Sequence, residues 1–476
     1  MNQAVLQEAM GDQNEVPDDC LPPISGSLVD FAEVVSLSET DAIRNRTNSE
    51  DILDSFMISK EVLKLRKKTR SGLLGEQYTS IDLFSGAGGL SEGLRVSGFK
   101  SLYANEIVAR HAETYALNHP EAIVESRDIR LVDASDVRRR LGLKKGELDL
   151  VAGGPPCQGF SINAPKRSAD DDRNSLFLEF LRFVDEFEPK AVLIENVPGL
   201  VSFEGGGTLQ AILLALGHHG YSADVKILYA PHFGVPQTRW RTVIIGIRGD
   251  QADPLRAFPE PVRNAPLRVN FTSNFEGKNI VALPTNLELP SFVSVRDAID
   301  DLPALANGET GKERKNYRSG PQNDFQVAMR NGSDCVLNHE APRLGEINIK
   351  RMSFIPPGGN WTDIPEDLLP RGMRRARRSD HTKRYGRVAP DGLASTILTK
   401  CDPHWGAYFH YEQDRCFTVR EAARIQTFPD SYRFVGSRVE QYEQVGNAVP
   451  SLLAAAIGRS IRGVLEDLRK HAKKVS

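Results

Sequence analysis

Residues 78–93 read YTSIDLFSGAGGLSEG, an apolar run that halts at Leu83 and Phe84, turns through glycines and reopens as a stretch of helix formers. A strand that passes through a tight turn into a helix is the opening βα unit of a parallel sheet. Gly86, Gly88 and Gly89 allow that turn and a close approach of backbone to a ligand, and the helix behind them presents the amino end of its dipole. A glycine-rich loop alone is equally compatible with a plain strand-to-helix connection. The next apolar run ends at Asn105-Glu106, roughly 20 residues further on, where doubly wound folds hold a ribose with a carboxylate. Asp128 closes a third run and is placed either to accept from an adenine amino group or to cap the helix that begins after Ile129.

Outward from this unit, the apolar runs SLYANE, ELDLVAG, KAVLIENV, ADVKILYA and RTVIIGI recur between Ser101 and Ile247, with helical stretches between them. Such alternation predicts an α/β fold with a doubly wound, mostly parallel sheet, its ligands at the carboxyl ends of the strands. Residues 77–250 form this expected catalytic and cofactor-binding domain. From 251 to 405 prolines and glycines are frequent and periodicity is weak, which predicts a second, smaller and irregular domain. Helical character returns after Tyr411, so 406–476 is expected to pack back and complete the first domain. Residues 1–76 read as a polar, partly disordered arm that ends in the basic stretch Lys60 to Gly72.

The 476 residues carry a formal net charge of −3, which excludes a chain that coats nucleic acid through overall basicity. Contact with phosphate must be regional. Its densest candidate is RGMRRARRSDHTKRYGR, Arg371 to Arg387. Cys20, Cys157, Cys335, Cys401 and Cys416 are scattered, without the close pairing of a disulfide framework or a metal site. The amino terminus lacks the order of a signal peptide, and no apolar run reads as long enough to span a bilayer. The expectation is a soluble, cytoplasmic chain without membrane or metal.

In GGPPCQGFS, Gly153 to Ser161, two prolines stiffen the turn that carries Cys157 and remove amide donors. A cysteine without apolar neighbours, at the end of a strand, is placed as a nucleophile rather than as core. KAVLIENV ends in a carboxylate, Glu195, and GVPQTRWR sets Gln237, Arg239 and Arg241 before another strand. Strand alternation puts Arg239 and Arg241 on one side, where they need acidic, phosphate or base partners.

Together these clusters resemble the cytosine-5 DNA methyltransferases of bacterial restriction-modification systems, from Tyr78 to the end of the chain. DLFSGAGG looks like the family's cofactor loop, Pro156-Cys157-Gln158 its catalytic triplet, Glu195-Asn196-Val197 its Glu-Asn-Val, and Gln237, Arg239 and Arg241 its Gln-x-Arg-x-Arg. TVREAARIQTFPD (Thr418 to Asp430) and QVGNAVP (Gln444 to Pro450) match its two carboxyl-terminal blocks in the same order.

The resemblance implies the S-adenosylmethionine-dependent methyltransferase fold with a target-recognition domain, and a methyl transfer to carbon 5 of a flipped-out cytosine in double-stranded DNA. Cys157 would form the covalent adduct, Glu195 would hold ring nitrogen 3, and Arg239 the base oxygen, with Arg241 and Gln158 beside them. Phe84, Gly86, Gly88, Gly89, Glu106, Asp128, Ile129, Pro155, Leu176, Asn447 and Val449 would line the cofactor pocket. Ser161, Gln237, Thr396, Arg374, Arg375, Arg377 and Arg378 are the expected DNA contacts, with PPGGNW (Pro356 to Trp361) a further candidate. The implied partners are duplex DNA and a restriction endonuclease of the same specificity, and the implied state is a monomer. An RNA-directed member of the same family and a catalytically silent DNA-binding regulator are the competing readings.

Overall fold

The computed structural model describes residues 77–155, 176–249, 253–285, 288–311, 313–379 and 381–475. Cys157, Gln158, Ser161 and the arm 1–76 lie outside the described residues. Eight strands organise the first half: β1 (Tyr78–Leu83), β2 (Phe99–Asn105), β3 (Ile123–Glu125), β4 (Leu150–Gly153), β5 (Ala191–Asn196), β6 (Tyr221–Tyr229), β7 (Gln237–Thr238) and β8 (Trp240–Arg248). Seven of them form one sheet in the order β3-β2-β1-β4-β5-β8-β6. All neighbours from β3 to β5 are parallel, and β8 runs antiparallel between β5 and β6. The sheet is thus mostly parallel, as the recurring apolar runs require. Winding starts at β1, moves out to β3 and returns across β1 to β4, so strand order reverses between β1 and β4. Doubly wound sheets open a binding crevice at such a reversal.

Both faces of the sheet are covered. Along β5, Val192 and Ile194 enter one apolar cluster with Phe180 and Phe183, whereas Ala191 and Leu193 enter another with Leu94 and Ile457. The second face is sealed by the carboxyl-terminal helix Ser451–Val475, which lies against the helix Gly89–Val96 that follows the glycine loop. Small residues make that approach possible. A Cβ on Gly93 would overlap Ala454 and Ser451 and lie 2.7 Å from the backbone nitrogen of Ala455.

Beyond residue 253 the elements are short: a two-residue hairpin, Asn274–Phe275 with Lys278–Asn279, and helices of five to seven residues. Their core is shared with the later helices Val419–Ile425 and Arg438–Asn447: Val293, Ile299 and Ile397 pack with Phe417, Ile425 and Val445. The boundary expected near 405 therefore falls inside one core. Buried charge binds this part together. Arg424 donates to Asp430 at 2.6 Å and to Asp301 at 3.2 Å, and Arg415 to Glu421 at 2.7 Å, all with side chains at most 1% exposed. Pairs this deep hold only when both partners are present.

Two stretches, Pro198–His218 and Arg438–His471, are long and apolar enough by composition to cross a membrane, contrary to the sequence expectation. Composition alone marks them, but the first is interrupted by non-helical Phe203, Glu204 and Gly205, and the window of the second is 67% buried within the fold.

Replacing a helical glycine by alanine usually stabilises by about 1 kcal/mol. At Gly93 the crowding by Ala454 and Ser451 reverses the sign, and Gly93→Ala should lose roughly 1–3 kcal/mol in denaturant unfolding. A more stable variant would mean that the two helices are not in close contact.

Candidate active site

The carboxyl ends of β1, β2, β4 and β5 converge on one rim. Leu83 pairs with Gly153 across the reversal and with Asn105 on its other side, while Gly153 also pairs with Ile194. Side chains just beyond these residues are thereby brought together from four distant segments. At the β1 end, Phe84 adopts φ 58°, a left-handed conformation that costs a non-glycine residue energy and recurs at functional sites. Glu106 faces it from β2: its Oε2 accepts from the Gly86 amide and its Oε1 from the Val108 amide, both at 2.8 Å. Each oxygen retains a lone pair for a further donor.

The three glycines of the loop do different things. Gly86, at φ +54°, has nothing within 4 Å of its would-be Cβ and borders open space. Gly88 and Gly89, expected to face a cofactor, are instead buried under the carboxyl-terminal segment: a Cβ on Gly88 would lie 2.5 Å from the Tyr432 hydroxyl, and one on Gly89 2.6 Å from the Val449 carbonyl. Tyr432 also donates to the Ala87 carbonyl at 2.5 Å. The loop is thus shaped from behind by residues more than 300 positions away.

Two polar atoms at this corner lack a protein partner, Asp82 Oδ1 and Ser85 Oγ. Asp82 was not singled out as a site residue in the sequence, although it opens the DLFSGAGG stretch. Its Oδ2 accepts from Ser91 at 2.7 Å. Burial raises its carboxyl to about 7, against the lowering by Ser91 and with repulsion from Glu106 adding to the rise. Asp128 is a helix cap, one of its two expected roles. It caps the short helix Ile129–Leu131, accepting from the Arg130 amide at 3.0 Å and from the Arg130 guanidinium, whose hydrogen bonds hold its carboxyl below the usual range. Ile129 is buried in the core, and Leu176 opens a helix that packs against the same cluster.

At the β4 and β5 ends the geometry is tighter. Glu195 forms an ion pair with Nε of Arg241, and both side chains are more than four-fifths buried. Gly154 lies against this pair: a Cβ there would sit 3.2 Å from Glu195 Oε2. Asn196 donates to the Pro155 carbonyl at 3.3 Å, so the chain that leads to Cys157 runs along the carboxylate. Of the other cysteines, Cys335, Cys401 and Cys416 are buried, and burial pushes the Cys401 thiol far up. None of these three is placed as a nucleophile.

Arg239 and Arg241 do not share the role their spacing suggested. The Arg239 amide bonds back to the Gln237 carbonyl at 2.9 Å, a tight turn that breaks the strand between β7 and β8 and with it the alternation. Arg241 reaches Glu195, while Arg239 is 2% exposed and spends its donors on backbone carbonyls. Gln237, expected at DNA, is likewise fully buried, its amide donating to the Ile425 carbonyl and Gln426 and accepting from the Ile397 amide. Thr396 donates to the Thr238 carbonyl at 2.5 Å. In the block at the end of the chain, Asn447 is exposed and Val449 buried.

The basic run divides in the same way. Arg374, Arg375, Arg377 and Arg378 are exposed, whereas Arg387 is 7% exposed and donates to the carbonyls of Met352, Ile355 and His410 and to Asp414. Trp361, in the expected contact PPGGNW, is buried in the core with Tyr385 and Phe409. Exposure separates surface cations from structural ones, and one-dimensional charge counting does not.

A model of the C-5 cytosine-specific DNA methylase family matches residues 78–463. The type II methyltransferase M.AgeI of Thalassovita gelatinovora is 36% identical over 432 residues, spanning 80% of this chain and 99% of its own. M.DdeI of Desulfomicrobium norvegicum is 34% identical, over 82% of this chain and 89% of its own. DNA (cytosine-5)-methyltransferase 1 of Mus musculus is 32% identical over 83% of this chain, which corresponds to 29% of that longer protein. Among solved structures, a DNA modification methyltransferase encoded within an E. coli prophage superposes with a TM-score of 0.61 at 25% identity, covering 82% of this chain and 100% of its own.

An aspartate whose folded pKa is raised from 3.8 to about 7 binds its proton more tightly when folded, so it favours the folded state at low pH. Its contribution falls as pH rises from about 4 to about 7 and is flat above. Asp82→Asn removes that slope, so the difference between the two proteins' denaturant midpoints should change steadily across this window and level off above it. Parallel pH profiles would show that folding does not raise the Asp82 carboxyl.

Proposed function

Because the chain belongs to the C-5 cytosine-specific DNA methylase family and is a DNA (cytosine-5-)-methyltransferase, we propose that it methylates carbon 5 of a cytosine rotated out of duplex DNA, with S-adenosylmethionine as donor and Cys157 as nucleophile. The observation that carries this reading is the juxtaposition of Glu195, Arg241 and Gly154, three residues before Cys157, at the reversal of strand order.

The β1–β2 corner fits the donor. Asp82 Oδ1 and Ser85 Oγ are buried polar atoms that need a partner, Glu106 has acceptor capacity to spare for ribose hydroxyls, and Gly86 borders open space. Phe84 and Ile107, which is 64% exposed, offer apolar surface for an adenine, and Asn447 lies at the edge of the block that packs on the glycine loop. S-adenosylmethionine supplies a methyl group made electrophilic by its sulfonium sulfur.

The chain's own residues do the rest. A base inside the duplex is unreachable, so it must be extruded, at a cost of a few kcal/mol offset by protein contacts. The Cys157 thiolate adds to carbon 6, and Glu195, hydrogen-bonding or protonating nitrogen 3, keeps negative charge from building up on the ring. Arg241 positions the Glu195 carboxylate. Once carbon 5 carries the methyl group, loss of its proton and expulsion of the Cys157 sulfur restore the aromatic ring. Exposed Arg374, Arg375, Arg377 and Arg378 grip phosphate, and residues 251–405 choose the sequence. We take the enzyme to act as a monomer that protects DNA from an endonuclease of the same specificity, a reading suggested by its similarity to M.AgeI and M.DdeI, which are named type II methyltransferases.

Incubation with S-adenosylmethionine and a duplex containing 5-fluorocytosine should trap a denaturation-resistant adduct, because fluorine cannot leave as a proton does. Cys157→Ser should abolish it, and Glu195→Gln should slow it about 100-fold or more. Trapping on substituted RNA but not DNA would sink the DNA reading, and trapping on neither would leave a silent regulator. In binding titrations, Arg375→Ala with Arg377→Ala should lower the slope of log affinity against log salt by roughly 1–2 without changing which duplex is preferred. An altered preference would make these arginines base contacts.

A further inference from the structure

Arg239 is a cation in the interior with no carboxylate bonded to it. Its Nη1 donates to the Ile397 carbonyl at 3.0 Å, and its Nη2 to the carbonyls of Gly446 at 2.9 Å and Ala448 at 3.1 Å. Three of its five N–H groups are thus spent on backbone, Nε is buried without a protein partner, and the side chain as a whole is 2% exposed. The two Nη2 acceptors flank Asn447, the last residue of the helix Arg438–Asn447, where unsatisfied carbonyls and the negative end of the helix dipole favour a cation.

Gln426 completes the grip, donating to the Val445 carbonyl at 2.6 Å and the Ala448 carbonyl at 3.2 Å while accepting from Gln237 at 2.8 Å. Gly446 lets the Leu398 and Thr399 backbone approach so closely that a Cβ there would lie 2.5 Å from the Thr399 nitrogen. Ile397 lies two residues after the short strand Ala394–Ser395 that pairs with β7, and Arg239 follows β7 directly, with Arg241 two residues further on. One guanidinium therefore joins the chain beside Thr396, the chain around Asn447 and the turn that aims Arg241 at Glu195.

We propose that Arg239 is a positioning residue that couples the cofactor lip to the target-base corner, acting through Asn447 rather than on the cytosine. The proposal rests on the reading of Asn447 as a contact of S-adenosylmethionine. Because a lip held in place is presented before DNA arrives, the effect of Arg239 must appear in cofactor binding alone. Coupling of this kind is also reciprocal, so a stronger grip on DNA near Thr396 favours a well-placed lip.

The test is calorimetric titration of the full chain with S-adenosylmethionine in the absence of DNA. Arg239→Lys keeps the charge but loses the fork, and should weaken binding about tenfold. Gln426→Met keeps shape and leaves Arg239 in place, and should weaken it several-fold in the same direction even where the lysine variant folds poorly. Arg239→Lys combined with Asn447→Ala should bind no worse than Asn447→Ala alone, since the first residue works through the second. Unchanged cofactor affinity in both Arg239→Lys and Gln426→Met, with slower trapping of fluorocytosine DNA by Arg239→Lys, would make Arg239 a base contact and overturn the proposal. Additive losses in the double variant would overturn it too. Failure of the unaltered protein to bind S-adenosylmethionine would remove the reading of the cofactor corner itself, and the proposal with it.

Discussion

Glu195 and Arg241 meet because β5 and β8 run antiparallel side by side, with Asn196 opposite Thr242. Each side chain alone would be an uncompensated charge in a largely water-free rim, and breaking such a pair costs far more than forming it gains. The pair thereby constrains its surroundings. A Cβ on residue 154 would approach the carboxylate to 3.2 Å and press on the pair, and the turn into β8 has to aim Arg241, not Arg239, at Glu195. The only antiparallel strand inside the sheet among the described residues is the one that delivers this arginine.

The rim also depends on chain that arrives late. Tyr432 and Val449 press on Gly88 and Gly89, Gln426 and Arg239 hold the carbonyls around Asn447, and the carboxyl-terminal helix covers one face of the sheet. A strand-to-helix loop of three glycines would otherwise sample many conformations. Packing from behind selects one, with Phe84 in a left-handed conformation and Gly86 left facing outward. The entropic cost of ordering the loop is offset by contacts made several hundred residues away.

Much was legible without coordinates. The apolar runs reappear as strands within a few residues, and Glu106 and Glu195 stand at strand ends as their positions require. The residues that the structure places differently from expectation share one feature. Arg239, Gln237, Arg387 and Trp361 are polar or aromatic residues in segments that resemble binding surface, and each turned out to be interior. Asp82 went unassigned because a carboxylate inside an apolar run has no periodic signature; its unpartnered oxygen is visible only once the neighbours are placed.

The sequence by itself determined the sheet, its winding and the family of chemistry, because hydrophobic period and strand-end residues are local and survive in one dimension. Which arginine faces the carboxylate, which glycines of the loop are covered from behind and which cations reach solvent were decided only by tertiary structure. Those outcomes turn on contacts between segments far apart along the chain, and a single tight turn at Thr238 was enough to undo the alternation that strand spacing alone predicts.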